Sequence, residues 1–323
     1  MNNQLIIDNL TTLFHQYRLN NDPTVSRFKA NVISKLINVV KSYKGVIKSG
    51  NDLQAIKGVG KGSITRINEI LETSTLKEIN HTKNYTVYSE LEKITGIGKV
   101  KAKSLVVNNG VTSIDNLRDK LKNNKIKLTH HIIIGLKYFE DINKRIPIKE
   151  MNAINKYIKD IINKNFDSLV YTICGSYRRG LSSSGDIDIL ISDPRCKMDI
   201  YKQKYLEKLI NILHETKFII DNLTTSGSTK YMGICKLHGR QIARRIDIRC
   251  INYNSYYTGL LYFTGSRQLN INMRHKALSN GYKLNEYLVY DISKKKKIYP
   301  CSEKEIFELC NMEYLEPTER DIH

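Results

Sequence analysis

A chain of 323 residues, 41% of them hydrophobic, can bury a core and exceeds the usual size of one domain, which excludes a disordered tail. Its 52 Lys and Arg against 32 Asp and Glu give a formal net charge of +20, which attracts polyanions such as nucleic acid or acidic membrane surfaces. No apolar run is long enough to cross a bilayer, and the N-terminus lacks a signal-peptide pattern. We therefore expect a soluble, intracellular protein.

The first half of the chain predicts helices, because apolar residues recur at helical spacing between short polar turns. In the first eighty residues the predicted helices are 3–17, 24–42, 51–56 and 62–72. A second helical stretch, from about residue 88 to 140, includes 100–108, 114–123 and 129–139. One further helix, 149–165, follows.

Beyond residue 165 the apolar residues alternate with a period of two, which predicts β-strands. Three such segments, 168–174, 186–192 and 244–250, are expected to lie in one sheet. The last seventy residues mix helix and hairpin signals. Because no Gly/Ser-rich linker separates these parts, we place soft boundaries near residues 80, 146 and 254.

An internal repeat carries two glycines around one apolar residue. I-K-G-V-G-K at 56–61 and I-T-G-I-G-K at 94–99 each open a helix. The glycines permit a tight turn and leave N–H groups at the start of the next helix for a phosphate. A helix hairpin without ligand would explain one copy, whereas two copies in a strongly basic chain favour binding of the DNA backbone. Such contacts ignore base identity, so binding is expected to be independent of sequence and to involve Gly58, Gly60, Gly96 and Gly98.

Two carboxylates, Asp186 and Asp188, lie two residues apart on a predicted strand whose apolar residues face the other way. Alone, such a pair is more often a solvated strand edge. Close like charges repel, however, and are tolerated mainly where divalent cations neutralise them. Oxygen ligands of this kind suit magnesium rather than zinc.

A third carboxylate, Asp247, lies on the segment R-R-I-D-I-R, where it shares a strand face with Arg245 and Arg249. Upstream, Gly175-Ser176 opens an element whose N–H groups and hydroxyl can hold a phosphate. Three carboxylates on neighbouring strands can bind two metal ions for in-line phosphoryl transfer. Together these features favour a metal site over a solvated edge.

Four motifs in order give the chain a family resemblance. G-S-Y-R-R-G, G-D-I-D, R-R-I-D-I-R and L-Y-F-T-G-S-R-Q-L-N-I-N-M-R resemble family X DNA polymerases of the DNA polymerase beta type, and the match covers nearly the whole chain. The resemblance implies an α+β multidomain fold with a helical N-terminal domain containing helix-hairpin-helix motifs, a nucleotidyltransferase-type palm with a mixed β-sheet, and a small C-terminal α/β subdomain. The implied domains are 1–79 (an 8-kDa-like DNA-binding domain), 80–146 (a second helix-hairpin-helix subdomain), 147–253 (the palm) and 254–323 (the nascent-base-pair subdomain).

The resemblance also implies an activity: template-directed addition of dNTPs to a primer 3′-OH, filling short gaps in base-excision-type repair. Asp186 and Asp188 would bind two Mg²⁺ or Mn²⁺ ions, and Asp247 would bind the catalytic ion and help to accept the primer proton. Arg249 would reach toward Asp188. The implied nucleotide-binding residues are Arg145, Ser176, Arg179, Gly185, Tyr262, Phe263, Thr264, Gly265 and Asn270.

The same resemblance implies contacts with gapped or nicked DNA. Lys29 matches a residue that binds a 5′-phosphate, Arg245 would lie near the primer end, and Arg274 would contact the template. A Na⁺ or K⁺ ion would bridge each hairpin turn to phosphate through the carbonyls of Gln54, Ile56 and Val59, and of Glu92, Ile94 and Ile97. We expect a monomer that acts in a nucleus or at a cytoplasmic viral replication site, without an N-terminal protein-interaction domain.

Two departures from the family pattern matter for function. Beta-type polymerases carry a lyase whose lysine forms a Schiff base, but this chain has Arg66 there, and a guanidinium stays protonated. A second lysine of that lyase is replaced by Gly62, so we expect little or no lyase activity. The loop 236–244 is short, which counts against template-independent terminal transfer. That activity and a non-catalytic DNA-binding module remain the alternatives.

Overall fold

The structure, a computed structural model, describes residues 2–19, 23–79, 84–200, 204–225 and 227–322. The chain divides into two compact units, one up to Ile132 and the other from Ile133 to Ile322. The predicted boundary near residue 80 lies outside the described residues. The division into four functional domains stays a prediction.

Helices form the described part of the N-terminal unit, as predicted. Their bounds are α1 (Asn2–Leu19), α2 (Pro23–Ser42), a 3₁₀ helix (Gly50–Leu53), α3 (Lys61–Thr73), α4 (Asn84–Glu92), α5 (Lys99–Val107), α6 (Ile114–Lys122) and α7 (His130–Lys137), which crosses the division between the units. Apolar residues spaced three or four apart give α1 one buried face, formed by Ile6, Leu10, Leu13 and Tyr17. The buried face of α2 belongs to the same core.

One predicted helix of this unit is shorter than expected. Residues 51–56 were predicted to be helical, and the structure has the 3₁₀ helix Gly50–Leu53 followed by turns. The Ser49 side chain accepts a hydrogen bond from Asn51 N, and Asp52 accepts from Ser49 N, so a capping box marks the start of this short helix. The short helix leads directly into the first glycine turn.

The two glycine repeats adopt the same backbone. Gly58 and Gly96, the first glycine of each, have φ of +99° and +93°, values that L side chains rarely adopt. In each turn the residue between the glycines donates its N–H to the apolar residue that starts the motif, Val59 to Ile56 at 3.1 Å and Ile97 to Ile94 at 2.9 Å. The second glycine of each repeat is the N-cap of the following helix, α3 or α5. The sequence repeat is therefore a structural repeat.

The C-terminal unit mixes helices and strands. Its helices are α8 (Phe139–Ile142), α9 (Ile148–Asn165), α10 (Gly175–Arg178), α11 (Tyr205–Glu215), α12 (Tyr256–Thr264), α13 (Arg267–Ser279) and α14 (Glu303–Leu309). Its strands are β1 (Ile146–Pro147), β2 (Val170–Ile173), β3 (Ser183–Ser184), β4 (Ile187–Ser192), β5 (Ile219–Asn222), β6 (Lys230–Cys235), β7 (Arg244–Cys250), β8 (Tyr282–Leu284), β9 (Val289–Asp291) and β10 (Lys296–Ile298).

A five-stranded mixed sheet, in the order β2-β4-β7-β6-β5, supports the site. β4 and β7 pair in parallel, and the other neighbours pair antiparallel. The three segments predicted as strands of one sheet are β2, β4 and β7, which confirms that prediction. Along β7 the isoleucines Ile246 and Ile248 are fully buried in a core with α9 and α11, so the alternate residues are left on the opposite face.

The last seventy residues form a smaller group of elements. β8, β9 and β10 make an antiparallel sheet, and α12, α13 and α14 share a core that includes Leu261, Leu269 and Phe307. The fold class is therefore α+β, with a helical first unit and a mixed-sheet second unit, as predicted. Among the described helices, none combines the length and the apolar character that a membrane span requires.

Candidate active site

Strand pairing brings the three predicted carboxylates together. Asp188 on β4 and Asp247 on β7 are register partners, and Asp186 immediately precedes β4. One carboxylate oxygen from each residue lies within 4.8 Å of the other two. Because the two strands run in parallel and in register, the carboxylates emerge from the same face of the sheet.

The electrostatics of this cluster favour a cation. Burial, followed by the charges of Asp186 and Asp247, raises the pKa of Asp188 well above its ordinary value. Burial also raises the pKa of Asp247, against the opposing charge of Arg245. Arg245 hydrogen-bonds Asp186, and its Nε lies 3.7 Å from Asp247 Oδ1. One guanidinium therefore neutralises only part of three clustered charges.

The residues fit a divalent metal ion. Asp247 Oδ1 is buried and has no hydrogen-bond partner among the described residues, so one ligand oxygen lacks a protein donor. The three carboxylates, with one oxygen of each within 4.8 Å of the others, supply the hard oxygen ligands that magnesium and manganese prefer. Asp186, Asp188 and Asp247 are therefore the residues that would hold the metal.

Position 175 requires glycine, because its backbone lies against the Asp188 carboxylate. It follows β2 and opens α10 with a φ of +58°. A Cβ atom there would lie 2.6 Å from Asp188 Oδ2, which is too close for any other residue. The neighbouring Cys174 N donates to the Asp188 carbonyl oxygen at 2.8 Å. The turn that begins with Gly175-Ser176 is thus held directly against the carboxylates.

A cavity of about 680 Å³ opens in front of Asp186 and Asp188. Its lining brings together all nine residues that the resemblance assigns to the nucleotide, together with Arg274. Three further lining residues were not predicted, Leu181, Arg267 and Ile271. Arg267 and Ile271 lie on α13 within the L-Y-F-T-G-S-R-Q-L-N-I-N-M-R motif. Their position beside the predicted nucleotide-binding residues of that motif could have identified them from sequence.

Two arginines of the cavity are held by neighbouring oxygens. Arg145 donates from Nε to Ser183 Oγ at 3.1 Å and also bonds the Ser183 carbonyl. Arg179 donates to the Thr264 carbonyl at 2.6 Å and to Asp321 Oδ1 at 3.1 Å. Asp321 was not predicted, because it lies 142 positions from its partner and no local motif links the two residues.

Aromatic rings and the Arg274 guanidinium also line the cavity, and Arg249 contacts one of these rings. The rings of Tyr262 and Phe263 meet edge to face, 5.0 Å apart. The Arg274 guanidinium lies 5.2 Å from the Tyr262 ring, and the Arg249 guanidinium lies 5.5 Å from the Phe263 ring. Asn270 Nδ2 donates to the Tyr262 carbonyl at 2.8 Å, which fixes the amide beside the ring. The predicted approach of Arg249 to Asp188 stays a prediction.

The N-terminal unit has its own charged cluster at the position of the family lyase. Arg66 Nε lies 2.7 Å from Glu78 Oε2, and its Nη1 donates to the Gly62 carbonyl at 3.1 Å. Tyr17 OH hydrogen-bonds the same Glu78 carboxylate, and Lys29 Nζ lies 5.4 Å from the Tyr17 ring. Burial and the Glu78 hydrogen bond raise the pKa of Tyr17 to about 12. Arg66 is therefore engaged in an ion pair.

Family models match four consecutive segments of the chain. They are described as a helix-hairpin-helix domain (residues 1–76), the fingers domain of DNA polymerase lambda (89–143), the DNA polymerase beta palm (145–253) and the DNA polymerase beta thumb (259–321). The palm model covers the sheet that carries the three carboxylates.

Curated relatives match over most of this chain. DNA polymerase lambda of Rattus norvegicus is 29% identical over 98% of the chain, and that of Arabidopsis thaliana is 28% identical over 89%. DNA nucleotidylexotransferase of Xenopus laevis is 26% identical over 88%. The chain spans 56%, 57% and 62% of the lengths of these relatives, respectively. With palm, thumb, fingers and helix-hairpin-helix segments in this order and an acidic triad on the palm sheet, the chain belongs to family X of the DNA polymerases.

Proposed function

We propose that this chain is a template-directed DNA polymerase that adds dNTPs to a primer 3′-OH and fills short gaps in base-excision-type repair. The observation that carries the proposal is that two members of the carboxylate triad, Asp186 and Asp188, line the 680 Å³ cavity. A metal site alone would serve many reactions. A metal site facing a cavity lined by arginines, a Gly-Ser turn and an aromatic turn suits a nucleoside triphosphate.

Asp186 and Asp188 would hold both divalent ions, Mg²⁺ or Mn²⁺, and Asp247 would hold the catalytic one. When bound, the ions lower the pKa of the primer hydroxyl and neutralise charge on the triphosphate. Asp247 would also help to accept the primer proton, because its carboxylate would lie on the same ion as the primer hydroxyl. Arg245, bonded to Asp186, would hold that carboxylate in place near the primer end.

The remaining cavity residues would bind and select the nucleotide. Arg145, Arg179 and Ser176 supply cationic and hydroxyl donors for the triphosphate oxygens. The backbone of Gly185 would approach the same phosphates, since no side chain intervenes there. The turn of Tyr262, Phe263, Thr264 and Gly265 would line the sugar, Asn270 would contact the minor-groove edge of the base, and Arg274 would contact the template.

The N-terminal residues would hold gapped or nicked DNA. The paired glycine turns would bind backbone phosphate, with a Na⁺ or K⁺ ion on the carbonyls named above, and Lys29 would bind a 5′-phosphate. In this proposal residues 1–79 and 80–146 are DNA-binding domains, 147–253 the palm and 254–323 the nascent-base-pair subdomain. The polymerase acts as a monomer, and lyase activity is weak or lacking.

A one-nucleotide gapped duplex, with and without a 5′-phosphate, tests the proposal. We expect one templated addition, faster when the 5′-phosphate is present. The same primer without a template separates template-directed synthesis from the terminal transfer named for the Xenopus laevis relative. Equal extension of the single strand would replace the proposal by that alternative, and DNA binding without any extension would indicate a non-catalytic module.

A further inference from the structure

Two acceptors far away in the sequence fix the Arg179 guanidinium. Its Nε donates to Asp321 Oδ1 at 3.1 Å, and its Nη1 donates to the Thr264 carbonyl at 2.6 Å. The side chain is 14% exposed, yet it lines the cavity beside Asp186 and Asp188. Within the part of the chain that the structure describes, Arg179 Nη2 makes no hydrogen bond. Its two N–H donors therefore remain for a ligand in the cavity.

The segment that carries Asp321 is anchored on both sides of this residue. Ser266 N donates to the Arg320 carbonyl at 3.2 Å, and Ser266 Oγ donates to the Ile322 carbonyl at 2.9 Å. The Arg320 side chain is fully buried and bonds Glu303 Oε1 at 2.6 Å. With both neighbours held, the Asp321 carboxylate is presented at a fixed position.

We propose that Asp321 is a positioning residue for the incoming nucleotide, because it orients Arg179 so that the free Nη2 donors meet triphosphate oxygens. The inference rests on the proposed function, in which Arg179 binds the triphosphate. A guanidinium is a planar fork, so engaging Nε and Nη1 fixes the plane in which Nη2 lies. A long side chain that is already ordered loses less conformational freedom when the ligand binds.

A different role for Asp321 would have the opposite consequence. If its carboxylate competed with the triphosphate for Arg179, removing it would strengthen nucleotide binding. If it orients Arg179, removing it weakens binding, because the arginine then samples other rotamers. The direction of the change in nucleotide affinity therefore distinguishes the two roles.

The test is Asp321→Ala on a gapped duplex with two readouts. Steady-state addition gives KM and kcat, and nucleotide binding to a complex with a dideoxy-terminated primer gives Kd without chemistry. We expect KM and Kd to rise about tenfold while kcat stays within about twofold, because an interaction made equally in ground and transition states affects binding alone. Asp321→Asn keeps an acceptor oxygen for Arg179 Nε and should stay within about threefold of wild type.

Glu308→Ala is the matched control, since Glu308 is an exposed carboxylate on α14 and should change neither constant. If Asp321→Ala does not fold, Asp321→Ser takes its place, because its hydroxyl is too short to reach Arg179. Unchanged or lowered KM and Kd in the folded variant would overturn the inference while the proposed function stands. Wild-type protein that neither binds nor adds a nucleotide would overturn both.

Discussion

Asp188 and Asp247 occupy partner positions on two parallel strands, so the backbone atoms of the two residues cannot separate without breaking the β4–β7 pairing. One carboxylate oxygen of each of these residues and one of Asp186 all lie within 4.8 Å of one another. An arrangement that places buried like charges at fixed backbone positions opposes folding on its own and gains stability from a bound cation.

Removing the carboxylate of Asp247 should abolish synthesis and spare DNA binding. We expect Asp247→Ala to lower kcat for gap filling by at least about 100-fold, because a ligand of the catalytic metal and a proton acceptor are lost together. Affinity for gapped DNA, measured by fluorescence anisotropy, should change less than about threefold, since backbone phosphates supply most of that affinity. Asp247→Asn, of nearly the same shape, is the control for packing. Near-normal synthesis by either variant would refute the metal assignment.

Asp188 should destabilise the metal-free protein increasingly as pH rises. The pKa of Asp188 is raised in the folded state, so between the unfolded value of about 3.9 and the folded value the native protein binds the extra proton. The contribution of Asp188 to the free energy of unfolding therefore falls as pH increases through this window. In EDTA, Asp188→Asn should be more stable than wild type by roughly 1–3 kcal/mol at about pH 8, with a smaller difference at about pH 5.

Adding magnesium should reverse this order, because only wild type keeps the full ligand set. Thermal unfolding at both pH values, with EDTA and with Mg²⁺, measures four free energies of unfolding for each of the two proteins. Asp193→Asn is unsuitable as a control because that carboxylate is buried among hydrogen-bond donors, whereas the exposed Asp115 is suitable. If the advantage of Asp188→Asn over metal-free wild type does not grow with pH over this window, the prediction is contradicted.

The fold and the centre of the site could be predicted from sequence because their signals are local. D-x-D, R-I-D-I-R and the glycine turns each fit within a few residues, and period-two alternation identified β2, β4 and β7. A helix was predicted at 51–56, but its 3₁₀ geometry and its end at Leu53 were not, because apolar spacing over a single turn does not distinguish 3₁₀ from α. The partners of Arg178 and Arg179 also gave no signal, since Glu303 and Asp321 lie 125 and 142 positions away and meet them only in the folded chain.

A buried ion cluster should stabilise the C-terminal unit. Glu303 is 6% exposed, and it pairs with Arg178 at 2.7 Å and with the fully buried Arg320 at 2.6 Å. Glu303→Gln should lower the free energy of unfolding by about 3–5 kcal/mol, because it leaves two guanidinium groups without a counter-charge. Glu308→Gln, exposed on the same helix, should change it by less than about 0.5 kcal/mol.

The same cluster should make wild type sensitive to acid. Against the opposing effect of burial, hydrogen bonds from Arg178 and Arg320 lower the pKa of Glu303, so this contribution is present above the unfolded pKa and is lost as pH falls through the folded one. Urea unfolding between about pH 7 and about pH 3 measures it. In Glu303→Gln the free energy of unfolding should therefore decrease less between neutral and acidic pH than it does in wild type. An unchanged urea midpoint in that variant at neutral pH would show that the cluster does not contribute.

The Arg66–Glu78 pair should leave the N-terminal unit without lyase activity. Borohydride trapping on incised abasic-site DNA should give no strong covalent adduct with wild type, because a guanidinium that pairs with a carboxylate at 2.7 Å cannot act as an amine nucleophile. Arg66→Lys alone should give little adduct, since Glu78 would keep the new ammonium protonated. Combining Arg66→Lys with Glu78→Gln removes that charge and should increase the adduct by about tenfold or more over the single variant.

Glu78→Gln by itself is the matched control and should trap no more than wild type. A strong wild-type adduct would refute the prediction, and its loss in Lys61→Ala would identify the amine that replaces the family lysine.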